Sequence, residues 1–130
     1  MPAPTDNPTS DFPVYDAHVL GDLFGHEPTV IASVLQTFVS TTRSSLAELA
    51  LAAQDLEVVA ALAHKITGAS RLSGILALGH AAHRVELAAK RGDMTAVQNG
   101  LTALDVQWRL AETAIATLSA PTSTPASLSK

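Results

Sequence analysis

The sequence predicts an all-α fold, an antiparallel four-helix bundle with a short additional N-terminal helix. Three observations carry this reading. Apolar residues recur at three- and four-residue spacings along most of the chain, the signature of helices with one buried face. Alanine is abundant while aromatic residues make up only 4% of the sequence, a balance that suits closely packed helices better than a sheet. The breaks between periodic segments are short, which leaves no room for strands. With 130 residues, 47% of them hydrophobic, the chain is large enough to bury one modest core.

Each element has its own start and stop signals. Asp16 can cap a first helix over Ala17–Phe24, which Gly25 ends, with Phe12 and Val14 available to pack at its entry. Pro28 suits the first turn of a long second helix over residues 28–53, whose inward stripe is Ile31, Val34, Leu35, Phe38, Leu46, Leu49 and Ala53. A third helix over residues 56–72 turns Val59, Leu62, Ala63, Ile66 and Ala69 inward, and Ser73-Gly74 punctuates it. The fourth, over residues 75–91, buries Ile75, Leu78, Ala82, Val85 and Ala89 and stops at Gly92. Asp93 opens the last helix, where Val97, Leu101, Leu104, Trp108, Ala111, Ile115 and Leu118 form a continuous seam. Trp108 lies on that seam and is read as core. The domain is expected to span residues 12–118. The Pro-, Thr-, Asn- and Asp-rich residues 1–11 and the Ser-, Thr- and Pro-rich residues 119–130 read as flexible tails.

Composition excludes several functions. There is no cysteine, hence no disulfide framework, thiol nucleophile or zinc knuckle. A formal charge of -4 has the wrong sign for a domain that binds phosphate backbones, so nucleic acid is not expected as a partner. No export signal or membrane-spanning apolar run is visible. A cytoplasmic location is expected, either free or as part of a membrane-anchored protein. His80 and His83 share a helix at three-residue spacing, but no carboxylate or third histidine is placed to complete a metal site, and no metal is expected. His18 and His26 are assigned to capping or solvent, and Arg84, Lys90 and Arg91 to the solvated face or helix end.

His64 is the residue that folding does not explain. At about 100° per residue it lies roughly 200° from both Leu62 and Ile66, and so faces away from the core. Its companions on that face are Glu57, Ala60, Ala61, Lys65, Gly68 and Arg71, small apart from the charged ends. A glycine inside a helix costs ~1 kcal/mol relative to alanine, so Gly68 calls for a reason outside the helix. Docking supplies one, because small residues a turn either side of an imidazole let a partner's cleft close over it. Neutral imidazole is a good nucleophile near neutral pH, and phosphohistidine retains a high transfer potential toward a carboxylate.

The run Ala63-His64-Lys65-Ile66-Thr67-Gly68-Ala69-Ser70, with Gly74, Val85-Glu86 and Arg91-Gly92-Asp93 after it, resembles the histidine-containing phosphotransfer (HPt) domain family. The family pattern in outline is Ala-His-(Lys/Arg)-Leu-Lys-Gly-Ser-Ser, a later Gly, a Leu-Glu pair on the next helix and an Arg-x-Gly-Asp-like ending. It aligns without a gap from Ala63 to Asp93, and the flanking helices extend the similarity over residues 12–118. The resemblance implies that His64 is the phosphoacceptor, Lys65 its adjacent positive residue and Gly68 the residue that opens access. It places Glu86 where relatives often have a Gln or Glu able to hydrogen-bond the ring. The tight turn at Ser73-Gly74 brings both positions to a similar level, and Glu86 is expected to accept from Nδ1–H, leaving Nε2 free. Ala60, Ala61 and Arg71 are the expected docking residues.

The function implied by this resemblance is that of a carrier in a multistep two-component phosphorelay. It would accept phosphate from one receiver-domain aspartate and pass it to that of a response regulator. It would have no kinase activity and no bound cofactor, since it has no phosphate-binding glycine loop or metal cluster; Mg²⁺ would sit on the receiver. A monomer and an origin as the C-terminal domain of a hybrid sensor kinase are expected. The alternative is a helical adaptor in which His64 is incidental, which would expose larger apolar anchors around it. Two departures, Thr67 for a frequent basic residue and Ala69 for a common Ser, predict a weaker positive field at the site. A third, Ala82 for a larger residue, has only a packing meaning.

Overall fold

The computed structural model describes residues 10–119, and within them every regular element is a helix: α1 (Ala17–Phe24), α2 (Pro28–Leu51), α3 (Leu56–Ser73), α4 (Leu76–Lys90) and α5 (Met94–Ser119). The expected tails lie outside the described residues, apart from Ser10 and Asp11 at the entry and Ser119 at the end of α5. The connections over 52–55, 74–75 and 91–93 are so short that successive long helices must run antiparallel. α4 packs extensively on α3 and on α5, and α2 packs on α3.

The helix ends form where the sequence puts their caps. Asp16 Oδ1 accepts from the His18 N–H at 3.0 Å, and Gly25 closes α1 in the left-handed region with φ 70°. Pro28 occupies the first turn of α2. Asp55 Oδ1 receives the Val58 N–H at 3.4 Å, and Asp93 Oδ1 the Ala96 N–H at 3.0 Å. α2 ends at Leu51, two residues before the expected Ala53: Ala52 leaves the helical region with φ -107° and ψ 18°, and its carbonyl accepts from the Asp55 N–H at 2.8 Å.

Gly74 fixes the sharpest turn. It ends α3 with φ 79°, and a Cβ there would lie 2.5 Å from the backbone oxygen of Asp16. The approach is that close because the Asp16 N–H donates to Gly74 O at 2.7 Å and the Ala77 N–H to Pro13 O at 3.0 Å. The entry segment is thereby stapled to the α3–α4 turn, burying Val14 and Tyr15. Burial, with the nearby Asp16 charge second, raises the Tyr15 phenol above its ordinary titration range.

The core follows the predicted stripes with three differences. The gap in the α2 stripe between Phe38 and Leu46 is filled by the buried polar residues Thr42 and Ser45, so this seam is less apolar than its neighbours. Leu118, expected on the α5 seam, is 54% exposed, because the bundle has ended before the last turn of that helix. Phe12 stays 41% exposed and stacks on His80, with ring centroids 4.6 Å apart, instead of entering the core. Trp108 is buried as expected, tilted against Phe38 at 6.3 Å. Within α4, Ala77, Ala81, Ala82, Ala88 and Ala89 are all buried, and their small side chains let two helices approach the same rod closely.

Candidate functional site

The site is built on the α3–α4 hairpin. Val59, Ala63 and Ile66 anchor the inner face of α3, which forces His64 outward, and its side chain is 76% exposed. Along the same outer line Glu57, Ala61, Gly68 and Arg71 are exposed, Ala60 is half-buried, and Lys65 stands exposed beside the imidazole. Lys65 and Arg71 form no ion pair among the described residues, so both charges face solvent. A Cβ added to Gly68 would meet nothing within 4 Å. The fold therefore does not require glycine there, and the residue leaves open space one turn from the ring.

Glu86 reaches His64 from the neighbouring helix. It is buried on α4, and its Oε2 lies 3.0 Å from His64 Nδ1. The same oxygen is 2.8 Å from Lys90 Nζ, and Oε1 is 3.5 Å from His83 Nδ1. The Lys90 hydrogen bond is the main reason the Glu86 carboxyl titrates below its ordinary value of 4.5. Burial opposes it, while the Lys90 charge and the His64 contact add to it. An ionised carboxylate can only accept, so the shared hydrogen must sit on His64 Nδ1. Nε2 is then left with its lone pair on the exposed edge of the ring.

The sequence places His64, Lys65, Gly68 and Glu86 in one neighbourhood, and the structure brings His64 and Glu86 into contact. Two partners of Glu86 come from its own helix: Lys90, which stands exposed at the end of α4 as expected, and His83 both reach its carboxylate. The i,i+4 spacing of Glu86 and Lys90 on one helix is the signal that could have found the first. Thr67, expected to leave a weaker field around His64 in place of a basic side chain, is buried, with its hydroxyl donating to Ala63 O at 2.8 Å. Position 67 points into the α3–α4 packing, and the cation nearest the carboxylate comes from α4. His80 turns away to Phe12, so the two histidines of α4 do not converge. No group of three or more His, Asp or Glu side chains among the described residues is arranged to hold a metal ion.

One feature beside the site is not visible in the sequence. A groove of about 560 Å³ opens between α1, α2 and α3, floored by Leu20, Val34 and Phe38 and rimmed by Leu23, Phe24 and Leu72. Leu23 is 60% and Leu72 68% exposed, and Leu72 lies on α3 two turns beyond His64. Among the described residues no helix is long and apolar enough to cross a membrane, so this surface is not part of a helical span.

A family model for the Hpt domain matches residues 33–119, from the first turns of α2 to the end of α5 and including both His64 and Glu86. No curated protein and no solved structure matches the chain.

Proposed function

The chain belongs to the Hpt domain family, whose members serve histidine phosphotransfer in two-component signalling and lack kinase activity of their own, and on that premise we propose that His64 is the phosphoacceptor. Nε2 attacks the phosphorus of a receiver's aspartyl phosphate. The P–N bond forms as the P–O bond breaks, and the electron pair returns to the aspartate. The second transfer reverses this chemistry toward the aspartate of a response regulator. Through both steps the ring hydrogen stays on Nδ1, where Glu86 accepts it and stabilises the positive charge that develops on the imidazole. The observation that carries this reading is a single one: an exposed imidazole whose Nδ1 is held at 3.0 Å by a buried carboxylate.

Lys65 supplies a mobile positive charge for phosphate oxygens, and Ala60, Ala61, Gly68 and Arg71 form the surface over which the receiver closes. The apolar groove rimmed by Leu23, Phe24 and Leu72 offers a docking anchor next to that collar. Any Mg²⁺ in the reaction belongs to the receiver. The unit over residues 12–118 acts as a monomer on the cytoplasmic side, as the C-terminal domain of a hybrid sensor kinase. The exposed leucines of the groove also favour a second reading, an adaptor that binds a partner without transfer.

Labelled receiver phosphate separates the two readings. Incubation with a phosphorylated receiver should place acid-labile, alkali-stable label on the wild type and none on His64→Gln. Absence of label from both, with the variant folded and receiver binding intact, supports the adaptor instead.

A further inference from the structure

Glu86 carries a burden that the transfer chemistry alone does not explain. Its side chain is 5% exposed, and a carboxylate so placed loses most of its hydration. Neutralising it would have a specific consequence. A protonated carboxyl can donate, and a proton donated to Nδ1 requires the imidazole hydrogen to move to Nε2. The nitrogen that must attack would then have no lone pair. The charged groups facing the carboxylate are His64 from α3 and His83 and Lys90 from α4, and no described residue of α2 or α5 forms an ion pair with it. His83, at 3.5 Å from Oε1, contributes charge only when protonated. Lys90 Nζ lies 2.8 Å from the oxygen that faces His64.

We infer that Lys90 is a positioning residue for the transfer reaction: its ammonium holds the Glu86 carboxylate in the charged, acceptor-only form and thereby keeps the His64 lone pair on Nε2. This role rests on His64 being the acceptor. Geometry places Lys90 one helical turn after Glu86, with its stem along α4 and its head on Oε2, while its own side chain remains 61% exposed. The direction of the Glu86 titration agrees, since the Lys90 hydrogen bond is the first cause of its lowering. Lys90 acts through Glu86, on the tautomer of the ring.

The full chain is tested as wild type, Lys90→Met and Lys90→Arg. One readout is the ¹⁵N spectrum of the His64 ring, which distinguishes a bare from a protonated Nε2. The other is single-turnover transfer from a phosphorylated receiver between about pH 5 and about pH 9. Lys90→Met should move the acid limb of the rate profile upward by on the order of one pH unit and slow transfer at neutral pH roughly 3- to 10-fold, with recovery in alkali. Its spectrum should show the neutral ring with hydrogen on Nε2 and none on Nδ1 at a pH where the wild type shows the Nδ1–H tautomer, a pattern that the doubly protonated imidazolium does not give, and Lys90→Arg should restore both properties. An unchanged profile and spectrum in Lys90→Met overturn the inference. So does an equal loss of rate at every pH with an unchanged spectrum, which would assign Lys90 to the phosphoryl group or the receiver. If the wild type takes no label, the acceptor reading fails separately, while the ring spectra still decide whether Lys90 governs the tautomer.

Discussion

His64 and Glu86 meet across the α3–α4 interface through one bond of 3.0 Å between an exposed ring and a buried carboxylate. The ring alone has no fixed orientation on an open helix face, and the carboxylate provides it. Glu86→Gln keeps a carbonyl oxygen that can accept from Nδ1–H, and should slow receiver-to-His64 transfer by roughly 2- to 10-fold. Glu86→Ala leaves ring and tautomer unfixed and should cost on the order of 10- to 100-fold. Rapid-quench measurement of a single turnover distinguishes the two. Equal rates in wild type and Glu86→Ala would remove Glu86 from the mechanism.

Acid should weaken the fold through the same residue. The folded Glu86 carboxyl titrates below its ordinary value of 4.5, chiefly because of Lys90, so the folded state binds its proton less readily than the unfolded state. The corresponding stabilisation is present above about pH 4.5 and is lost as pH falls through the lower, folded value. Thermal melts of wild type and Glu86→Gln should therefore differ most near neutral pH and converge in acid. A gap that widens on acidification would contradict this sign.

Substitutions at Gly68 should separate stability from transfer. Nothing lies within 4 Å of where its Cβ would be, so Gly68→Ala should stabilise α3 by ~1 kcal/mol, seen as a higher Tm. The larger Gly68→Gln should fold equally well and yet weaken receiver binding and transfer by roughly 10-fold or more, since it fills the space beside the imidazole. Binding by titration calorimetry alongside melts tests both halves.

Gly74 should behave in the opposite way. Its φ of 79° and the 2.5 Å approach to Asp16 O leave no room for a side chain. Gly74→Ala should lose about 2–4 kcal/mol of stability in chemical denaturation, by left-handed strain together with displacement of the entry segment.

Helix positions are legible from sequence because their caps and periods are local signals: Asp16, Pro28, Gly74, Gly92 and Asp93 each act on the chain within a few residues. The exposure of His64 is legible from its angle to Leu62 and Ile66. Burial of Glu86 is not, because an acid on a helix is ordinarily solvated and this one is buried only once α4 packs against its neighbours and meets His64. Thr42 and Ser45 escape the α2 stripe for a related reason: periodicity is read from apolar residues, and small hydroxyl side chains can be buried where helices crowd. The groove between α1, α2 and α3 depends on how three helices diverge, which no single segment encodes.

The staple between the entry segment and the α3–α4 turn has a mechanical meaning at the other end of the hairpin. His64 stands ten residues before Gly74 and Glu86 twelve after it, so both lie ~15–18 Å along their helices from the bend, at 1.5 Å per residue. At that radius a splay of about ten degrees would part the two side chains by roughly 3 Å, doubling their separation. The backbone bonds of Asp16 with Gly74 and of Ala77 with Pro13 brace the vertex of this angle, so a segment with no atom near the imidazole sets the gauge at which the imidazole and carboxylate meet.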